Sequence, residues 1–423
     1  MLEVSQLKVS KEEIIARLKV RNFDSEKLIE QVLELDTLRK STQGDLDEVL
    51  SQINVSSKDI GELFKAGNTE EANKVKQSIP SLKERSKDLG DKLNTIEGEI
   101  RSILLKIPNR PHELVPQGKT SDDNDIIDEH GTIPMLGKDA KPHWDLALQY
   151  DIIDFELGSK ITGSGFPVYK GKGARYQRAL INFFLDKAGE SGYREMQPPI
   201  LINEDSGYGT GQLPDKEGQM YHVGIDNLYL SPTAEVPLTN MYRDTILSLD
   251  ELPVKITAYT PCFRREAGSY GKDVKGLNRL HQFDKVEIVE IRDPKESYQA
   301  LEKMVSYVGG LLGELELPFR TARLCGGDIG FTSAMTYDME VYSAAQERWL
   351  EVSSISNFET FQANRLKLRF KNKDGKNQLA HTLNGSALAL PRILAALLEN
   401  NQSPEGIKIP KALVPYTGFD ILN

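Results

Sequence analysis

Tyr259-Thr260-Pro261-Cys262-Phe263-Arg264-Arg265-Glu266 and, after a short connection, His281-Gln282-Phe283-Asp284-Lys285-Val286-Glu287-Ile288-Val289-Glu290-Ile291 decide how most of this chain is read. Residues 259–265 and 281–291 both have strand character, the second β-branched and alternating. Residues two apart on a strand share a face. Arg264 and Glu266 are therefore expected on one side with Arg265 opposite, while His281, Phe283, Lys285 and Glu287 share a face of the second strand. Such a pair offers an arginine, two glutamates and an aromatic ring to one cleft. A guanidinium fork matches phosphate, an aromatic face stacks on a purine, and a carboxylate accepts hydrogen bonds from an ammonium. A nucleotide and an amine-bearing substrate would suit these groups. An exposed hairpin whose charges pair across the strands fits the same residues, and the strands alone leave both possibilities open.

The connection, residues 267–278, is glycine-rich and basic, with Gly268, Gly271, Lys272, Lys275 and Gly276. A loop working near phosphates and a plain solvated loop both fit, and no G-x-x-x-x-G-K-[ST] pattern is present. Residues 336–342 and 349–353 read as further strands, and residues 175–188 as a helix. Residues 382–392 read as a turn passing into an apolar-faced helix over 386–400. The free N–H groups at that helix start, with Arg392, would attract an anion. Strands in hairpin-like order predict an antiparallel sheet with flanking helices, an α+β arrangement.

The first third obeys another period. Leu28, Val32, Leu35, Leu46, Val49, Ile53, Ile60 and Leu63 recur in steps of about four and three, with breaks at Arg39, Thr42 and Ser56. A second series runs Val75, Ile79, Leu82, Leu89, Leu93, Ile96, Ile100, Ile103. Both are heptad patterns of a narrow helix–helix seam. Gly67 suits a helix end, and Asn68 with Glu71 resembles a capping box. Two long helices joined by so short a turn are antiparallel neighbours. At 1.5 Å per residue they would reach roughly 50–60 Å. Pro108, Pro111 and Pro116 end the pattern, and residues 118–128 read as a linker.

The 423 residues, 39% hydrophobic and 27% charged, are ordinary for folded domains and too apolar for wholesale disorder. A net charge of −10 argues against indiscriminate coating of nucleic acid, though a local basic patch would still meet one folded RNA. Cys262 and Cys325 alone cannot build a disulfide framework or a cysteine-rich zinc site. No signal peptide or membrane-crossing stretch is read, so cytoplasm is expected.

Together these residues resemble the seryl-tRNA synthetases, a family of class II aminoacyl-tRNA synthetases, over essentially the whole chain. Gln197-Pro198-Pro199-Ile200 resembles the end of the first class II motif. Phe263-Arg264-Arg265-Glu266 with the segment from Arg279 to Glu287 resembles the second, and Asn384-Gly385-Ser386 running to Arg392 the third. Arg-x-Glu followed by His-Gln-Phe is the specific signal; the other two are weak alone. Thr233-Ala234-Glu235 resembles the family's serine-binding loop, and Glu351-Val352-Ser353-Ser354 its acidic ATP and magnesium motif.

The resemblance implies a helical tRNA-binding arm over residues 1–110, a linker over 111–140 and a catalytic domain over 141–423. It implies a homodimeric serine–tRNA ligase using ATP and Mg2+, with no zinc, that makes seryl-adenylate and passes the seryl group to tRNA(Ser), with tRNA(Sec) as a further candidate. Thr233, Ala234, Glu235, Arg264, Glu287 and Ser386 would bind serine. Arg264 would hold the α-phosphate, Phe283 stack on adenine and Arg392 reach the γ-phosphate. Arg265, Glu266, Leu280, Glu351, Val352, Ser353 and Ser354 would complete the ATP site, Glu351 and Ser354 supporting magnesium. Pro199 would lie in the dimer interface.

Pro391, Phe358, Thr360 and Asn364 depart from the family's usual pattern; Asn364 stands where a second arginine is frequent. Without the catalytic motifs, the arm would read as a spacer or oligomerisation device. On its return helix Lys74, Lys76, Lys83, Arg85, Lys87 and Lys92 outnumber Glu84, Asp88 and Asp91, a bias that could follow an RNA backbone. In the family this arm grips the long variable arm of the tRNA, a recognition of shape. A non-catalytic relative kept as a scaffold would be expected to lose Arg264, Glu266, Glu287, Glu351, Ser386 and Arg392; all are present. An enzyme charging a carrier protein should lack the arm.

Overall fold

The computed structural model describes residues 1–266 and 275–423. They divide into two compact units: Leu2–Lys19 with Phe23–Pro108, and Met1 with Val20–Asn22 and Asn109–Asn423.

In the smaller unit, helices α1 (Glu26–Lys65) and α2 (Thr69–Leu104) pack along each other. At 1.5 Å per residue, the 40 residues of α1 extend about 60 Å. The turn is sharp because Gly67 takes φ +82, open to glycine at no steric cost. Asn68 occupies the N-cap of α2 without a side-chain capping bond, so the expected capping box does not form. Ile29, Val32, Val49, Ala72, Ile96 and Ile100 are buried. So are two polar positions, Thr42 and Asp36, so the break expected at Thr42 lies inside the seam. Lys8, Arg39 and Lys40 all pair with the Asp36 carboxylate. Burial works to raise that carboxyl, and the three cations outweigh it, holding it below its ordinary range.

The larger unit is built on an eight-stranded sheet of β1 (Asp125–His130), β2 (Arg194–Glu195), β3 (Val254–Phe263), β4 (Gln282–Arg292), β5 (Phe319–Arg323), β6 (Met335–Ser343), β7 (Arg348–Asn357) and β8 (His381–Ala389). The spatial order is β1-β5-β6-β7-β8-β4-β3-β2, antiparallel throughout except for the β2–β3 pair. The antiparallel α+β expectation is met. β1 lies within the stretch read as a linker; Asp125 to His130 pair with Arg323 to Phe319.

Helices α3 (Gly171–Glu190), α4 (Ser297–Glu314) and α5 (Leu390–Asn400) pack against the sheet. α3 buries Tyr176, Ala179, Leu180, Phe183 and Phe184, the i, i+3, i+4, i+7, i+8 stripe of an amphipathic helix. Val286 and Ile288 of β4 join Tyr176, Leu180, Phe183 and Phe184 in the main core. Val289 on the opposite face packs with Ala234, Leu238 and Ala258 in a second cluster. Covered on both faces, β4 is buried from Lys285 to Ile291. Among the described residues no helix is long and apolar enough to cross a membrane.

Two strand boundaries correct the sequence expectations. β3 stops at Phe263, and Glu266 turns to φ +49, so strand alternation does not carry through Arg264, Arg265 and Glu266. Residues 381–389 form a strand, placing Ser386 on β8; the helix begins only at Leu390. Gly385 explains the difference. It is register partner to both Ile288 and Ile355, and a Cβ there would meet Ile355 side-chain atoms at 3.3 Å. A small residue between two paired strands thus outweighs the helical spacing that follows it. Pro391 sits in the first turn of α5, where its missing N–H is not needed.

Candidate active site

Glu287 is fully buried on β4 yet ringed by polar groups. Antiparallel pairing sets it opposite Ser386 of β8. Asn384 Nδ2 donates to its Oε1 at 3.1 Å, and Ser386 Oγ lies 3.5 Å from its Oε2. Lys285, two residues back on the same face, forms an ion pair with Oε2. A carboxylate this deep is tolerable only because it is paired and hydrogen-bonded.

Glu235 lies near enough to feel the Glu287 charge. It starts a short helix, Glu235–Asn240, directly after Thr233 and Ala234. Its Oε1 accepts from Gln362 Nε2 at 2.7 Å, and Gln362 in turn accepts from Thr382 Oγ1 at 2.8 Å. Burial and the neighbouring Glu287 charge push the Glu235 carboxyl up to about 7, against smaller opposing effects of Gln362, Lys285 and Arg264.

Arg264 borders the same space. Its Nε donates to the Pro232 carbonyl at 3.3 Å, next to Thr233, and its guanidinium lies 5.3 Å from the Phe283 ring centre. Thr233, Glu235, Arg264, Phe283, Glu287 and Ser386 are thereby brought to one place. Arg265 turns elsewhere, donating to the Met220 carbonyl at 3.0 Å with its guanidinium 4.9 Å from the Tyr221 ring. Glu266 pairs with Arg279 at 3.4 Å. Leu280 is buried in the main core. Within the 267–278 connection, Lys275 to Asn278 are described, and residues 267–274 lie outside the described residues.

A second group gathers on β7 and α5. Arg392 Nη1 donates to the Glu351 carbonyl at 2.6 Å and stands 3.6 Å from its carboxylate; Nε donates to the Asn278 carbonyl at 3.0 Å. Ser353 Oγ donates to the Ser386 carbonyl at 2.5 Å, tying this group to the Glu287 pocket. Val352 is buried. Ser354 is register partner to Asp338 of β6 and hydrogen-bonds its carboxyl. Burial first, and the Glu351 charge second, raise the Asp338 carboxyl well above its ordinary range. Its Oδ1 is buried without a hydrogen-bond partner among the described residues. A buried, orphaned carboxylate oxygen beside a second carboxylate is the setting a divalent cation would relieve. Among the described residues no three His, Cys, Asp or Glu converge as a metal cage. The carboxylates of Asp338 and Glu351 are the hard oxygen donors magnesium takes, commonly one or two of them with phosphate oxygens and water completing the shell.

Gln362 and Asp338 have no role in the sequence reading, Asn384 enters it only as the start of the third motif, and Lys285 only as one of a strand face. Lys285 was legible from the i, i+2 rule. The other three become visible only once distant segments pair. Asn364, at the departure from the family pattern, donates to the Met1 carbonyl at 2.9 Å. Pro199 is exposed just beyond the edge strand β2. Lys74, Lys76, Lys83, Arg85 and Lys87 are all exposed on α2, in the smaller unit.

Comparison with known proteins bears on the whole arrangement. Residues 221–401 match the tRNA synthetase class II core domain (G, H, P, S and T), and residues 1–111 the seryl-tRNA synthetase N-terminal domain. The serine–tRNA ligase of Salinibacter ruber is 49% identical over 421 residues, 99% of this chain and 98% of that protein. The crystal structure of seryl-tRNA synthetase from Pyrococcus horikoshii complexed with ATP superposes with a TM-score of 0.91 at 32% identity, covering 100% of this chain and 99% of that one. Cytoplasmic serine–tRNA ligase from Naegleria fowleri in complex with AMP gives 0.86 at 25% identity, with the same coverage. With a class II core, the matching N-terminal domain and near-complete coverage at 49% identity, this chain belongs to the seryl-tRNA synthetase family of class II serine–tRNA ligases.

Proposed function

We propose that the Glu287 pocket selects L-serine and that Arg264, Phe283 and Arg392 hold ATP against it. The observation that carries this is the polar ring around Glu287: Lys285, Asn384 and Ser386 converge on one buried carboxylate beside the Thr233-Ala234-Glu235 loop. A carboxylate there accepts from the substrate ammonium and hydroxyl, so an amino acid lacking the hydroxyl leaves buried polar groups unpaired. Arg264 neutralises charge at the α-phosphate while Phe283 stacks on adenine. The serine carboxylate attacks the α-phosphorus, the bond to the β-phosphate oxygen breaks, and pyrophosphate leaves. The tRNA 3′-terminal hydroxyl then attacks the acyl carbon, and AMP leaves. Arg265, Glu266, Leu280, Val352 and Ser353 shape the nucleotide site, Arg392 meets the γ-phosphate, and Glu351 with Ser354 would hold Mg2+. Magnesium, when bound, neutralises triphosphate charge. No protein nucleophile is needed, because positioning and charge neutralisation suffice for in-line displacement at phosphorus.

Residues 1–110 would act as the tRNA-binding arm, with 111–140 connecting it to a catalytic domain over 141–423. Lys74, Lys76, Lys83, Arg85 and Lys87 would follow the RNA backbone. The chain would work in the cytoplasm as a homodimer joined near Pro199. Serine-dependent ATP–pyrophosphate exchange, run against all the amino acids, tests the central claim; absence of a serine signal would overturn it. Charging assays with tRNA(Ser) and tRNA(Sec) separate the two RNA candidates.

A further inference from the structure

One buried polar cluster is not absorbed by the serine and ATP sites. His143 is fully buried at the start of the helix His143–Gln149. Its Nε2 accepts the Leu277 backbone N–H at 2.7 Å, so that nitrogen carries no proton. Its Nδ1 must then carry one, and it donates to Glu399 Oε1 at 2.7 Å; the His143 amide donates to the same oxygen at 2.9 Å. Glu399, on α5, is fully buried and also accepts from Ser343 and, at 2.9 Å, from Gln346 Nε2. Gln346 Oε1 in turn accepts from Asn278 Nδ2 at 2.9 Å.

The two arms of this cluster close on adjacent residues. His143 holds the Leu277 amide and Gln346 holds the Asn278 side chain, both anchored on one carboxylate. The carbonyl of that same Asn278 accepts from Arg392 Nε at 3.0 Å, while Arg392 Nη1 is held by the Glu351 carbonyl. Arg392 and Glu399 lie on the same helix, two turns apart, so the cluster ties both ends of α5 to one short backbone segment. Packing is tight: Gly276 takes φ +65, and a Cβ there would sit 2.2 Å from His143 Nε2. A buried ionic cluster is a costly way to fill a core when apolar side chains would do. What it supplies here is a fixed direction for two backbone groups.

We propose that His143 is a positioning residue: with Gln346, and anchored on Glu399, it fixes the Leu277–Asn278 backbone so that the Asn278 carbonyl aims the Arg392 guanidinium at the triphosphate. This rests on the assignment of Arg392 to the triphosphate. His143 itself touches no substrate, so its effect must pass through Arg392 and fall on ATP, not on serine. A merely structural role would alter the active fraction and leave both KM values alone.

The test is steady-state pyrophosphate exchange with the full-length enzyme, comparing KM for ATP and for serine in His143→Leu, Gln346→Ala, Arg392→Ala and the His143→Leu/Arg392→Ala double variant. KM does not depend on the fraction folded, so a partly unstable variant still reports. Loss of the cluster is expected to raise the ATP KM about tenfold in His143→Leu, the order one buried hydrogen-bond arrangement commands, with a smaller rise in Gln346→Ala. Serine KM should stay within about twofold. The double variant should match Arg392→Ala alone, because residues acting through one another are not additive. An unchanged ATP KM in both His143→Leu and Gln346→Ala, an equal rise for both substrates, or multiplicative effects in the double variant would overturn the positioning role. An unchanged ATP KM in Arg392→Ala would instead sink the triphosphate assignment on which it stands.

Discussion

Glu287 and Glu235 are two buried acidic side chains with different surroundings. Glu287 has Lys285 as a counter-ion and two further polar groups, whereas Glu235 has the neutral Gln362 and a like charge nearby. Replacing Glu287 with Gln keeps the volume but removes the charge that Lys285 pairs with and that, on the proposed assignment, the substrate ammonium needs. Serine kcat/KM in pyrophosphate exchange should fall at least about 100-fold, roughly 2.7 kcal/mol, while ATP KM changes little. Near-normal serine turnover would dismantle the pocket assignment. Glu235 carries a pH signature of the opposite kind to a salt-bridged acid. Its folded-state value of about 7 lies above the ordinary 4.5. Below pH 4.5 both folded and unfolded states hold the proton; between there and pH 7 only the folded state does, so stability drains away as pH rises through that window. Relative to Glu235→Gln, the wild type should lose about 3 kcal/mol between pH 4 and pH 8 in urea unfolding. A constant difference would show that Glu235 is already ionised in the fold. The i, i+2 face holding Phe283, Lys285 and Glu287 was readable from one strand. Gln362, Asn384 and Asp338 were not, because each acquires its partner only when β6, β7, β8 and the helix Thr360–Leu366 are assembled.

Secondary elements were most legible where one periodicity runs undisturbed. The heptads of α1 and α2 extend over ten turns or so, and both helices appear where the spacing places them. Error entered where local and tertiary preferences conflict. Leu388, Leu390, Ile393, Leu394 and Leu397 make a helical stripe, yet the chain stays extended to Ala389 because β4 and β7 both recruit residues 381–389 into the sheet. Residues 118–128 read as a linker, yet Asp125 to His130 form a strand of the main sheet. As an edge strand exposed over most of its length, it needs no apolar alternation to pair with β5. Over residues 74–92 of α2, six cations face three acids, and Lys83, Arg85 and Lys87 are exposed. Reversing Lys83, Arg85 and Lys87 together to Glu replaces three cations on the helix surface and disturbs no buried side chain. Transfer of serine to tRNA should fall by about tenfold or more and recover least at low salt, where phosphate repulsion is strongest. Pyrophosphate exchange should be unaffected. Equal charging by the variant at every ionic strength would remove α2 from the RNA interface.

At the scale of the whole chain, the partition into two units separates two kinds of chemistry. All the carboxylates, arginines and aromatics assigned to serine and ATP belong to the larger unit, and Lys74, Lys76, Lys83, Arg85 and Lys87 of α2 belong to the smaller. Each unit has buried apolar residues of its own, so neither depends on the other's periodicity to form its elements. On the proposed assignment, amino-acid activation needs only the larger unit, whereas capture of a folded RNA would need reach, which a two-helix hairpin of about 60 Å provides. Replacing residues 26–106 with a short Gly/Ser linker should therefore leave serine-dependent pyrophosphate exchange within about threefold of wild type, since no side chain of the pocket is removed. Aminoacylation of tRNA(Ser) should drop by at least about 100-fold, the scale expected when an electrostatic backbone interface is lost. Measuring both reactions on one preparation makes the comparison internal: a misfolded deletion would lose exchange as well. If charging persisted at normal efficiency while exchange stayed intact, the hairpin would be a spacer, and recognition of the RNA would have to reside in the catalytic unit.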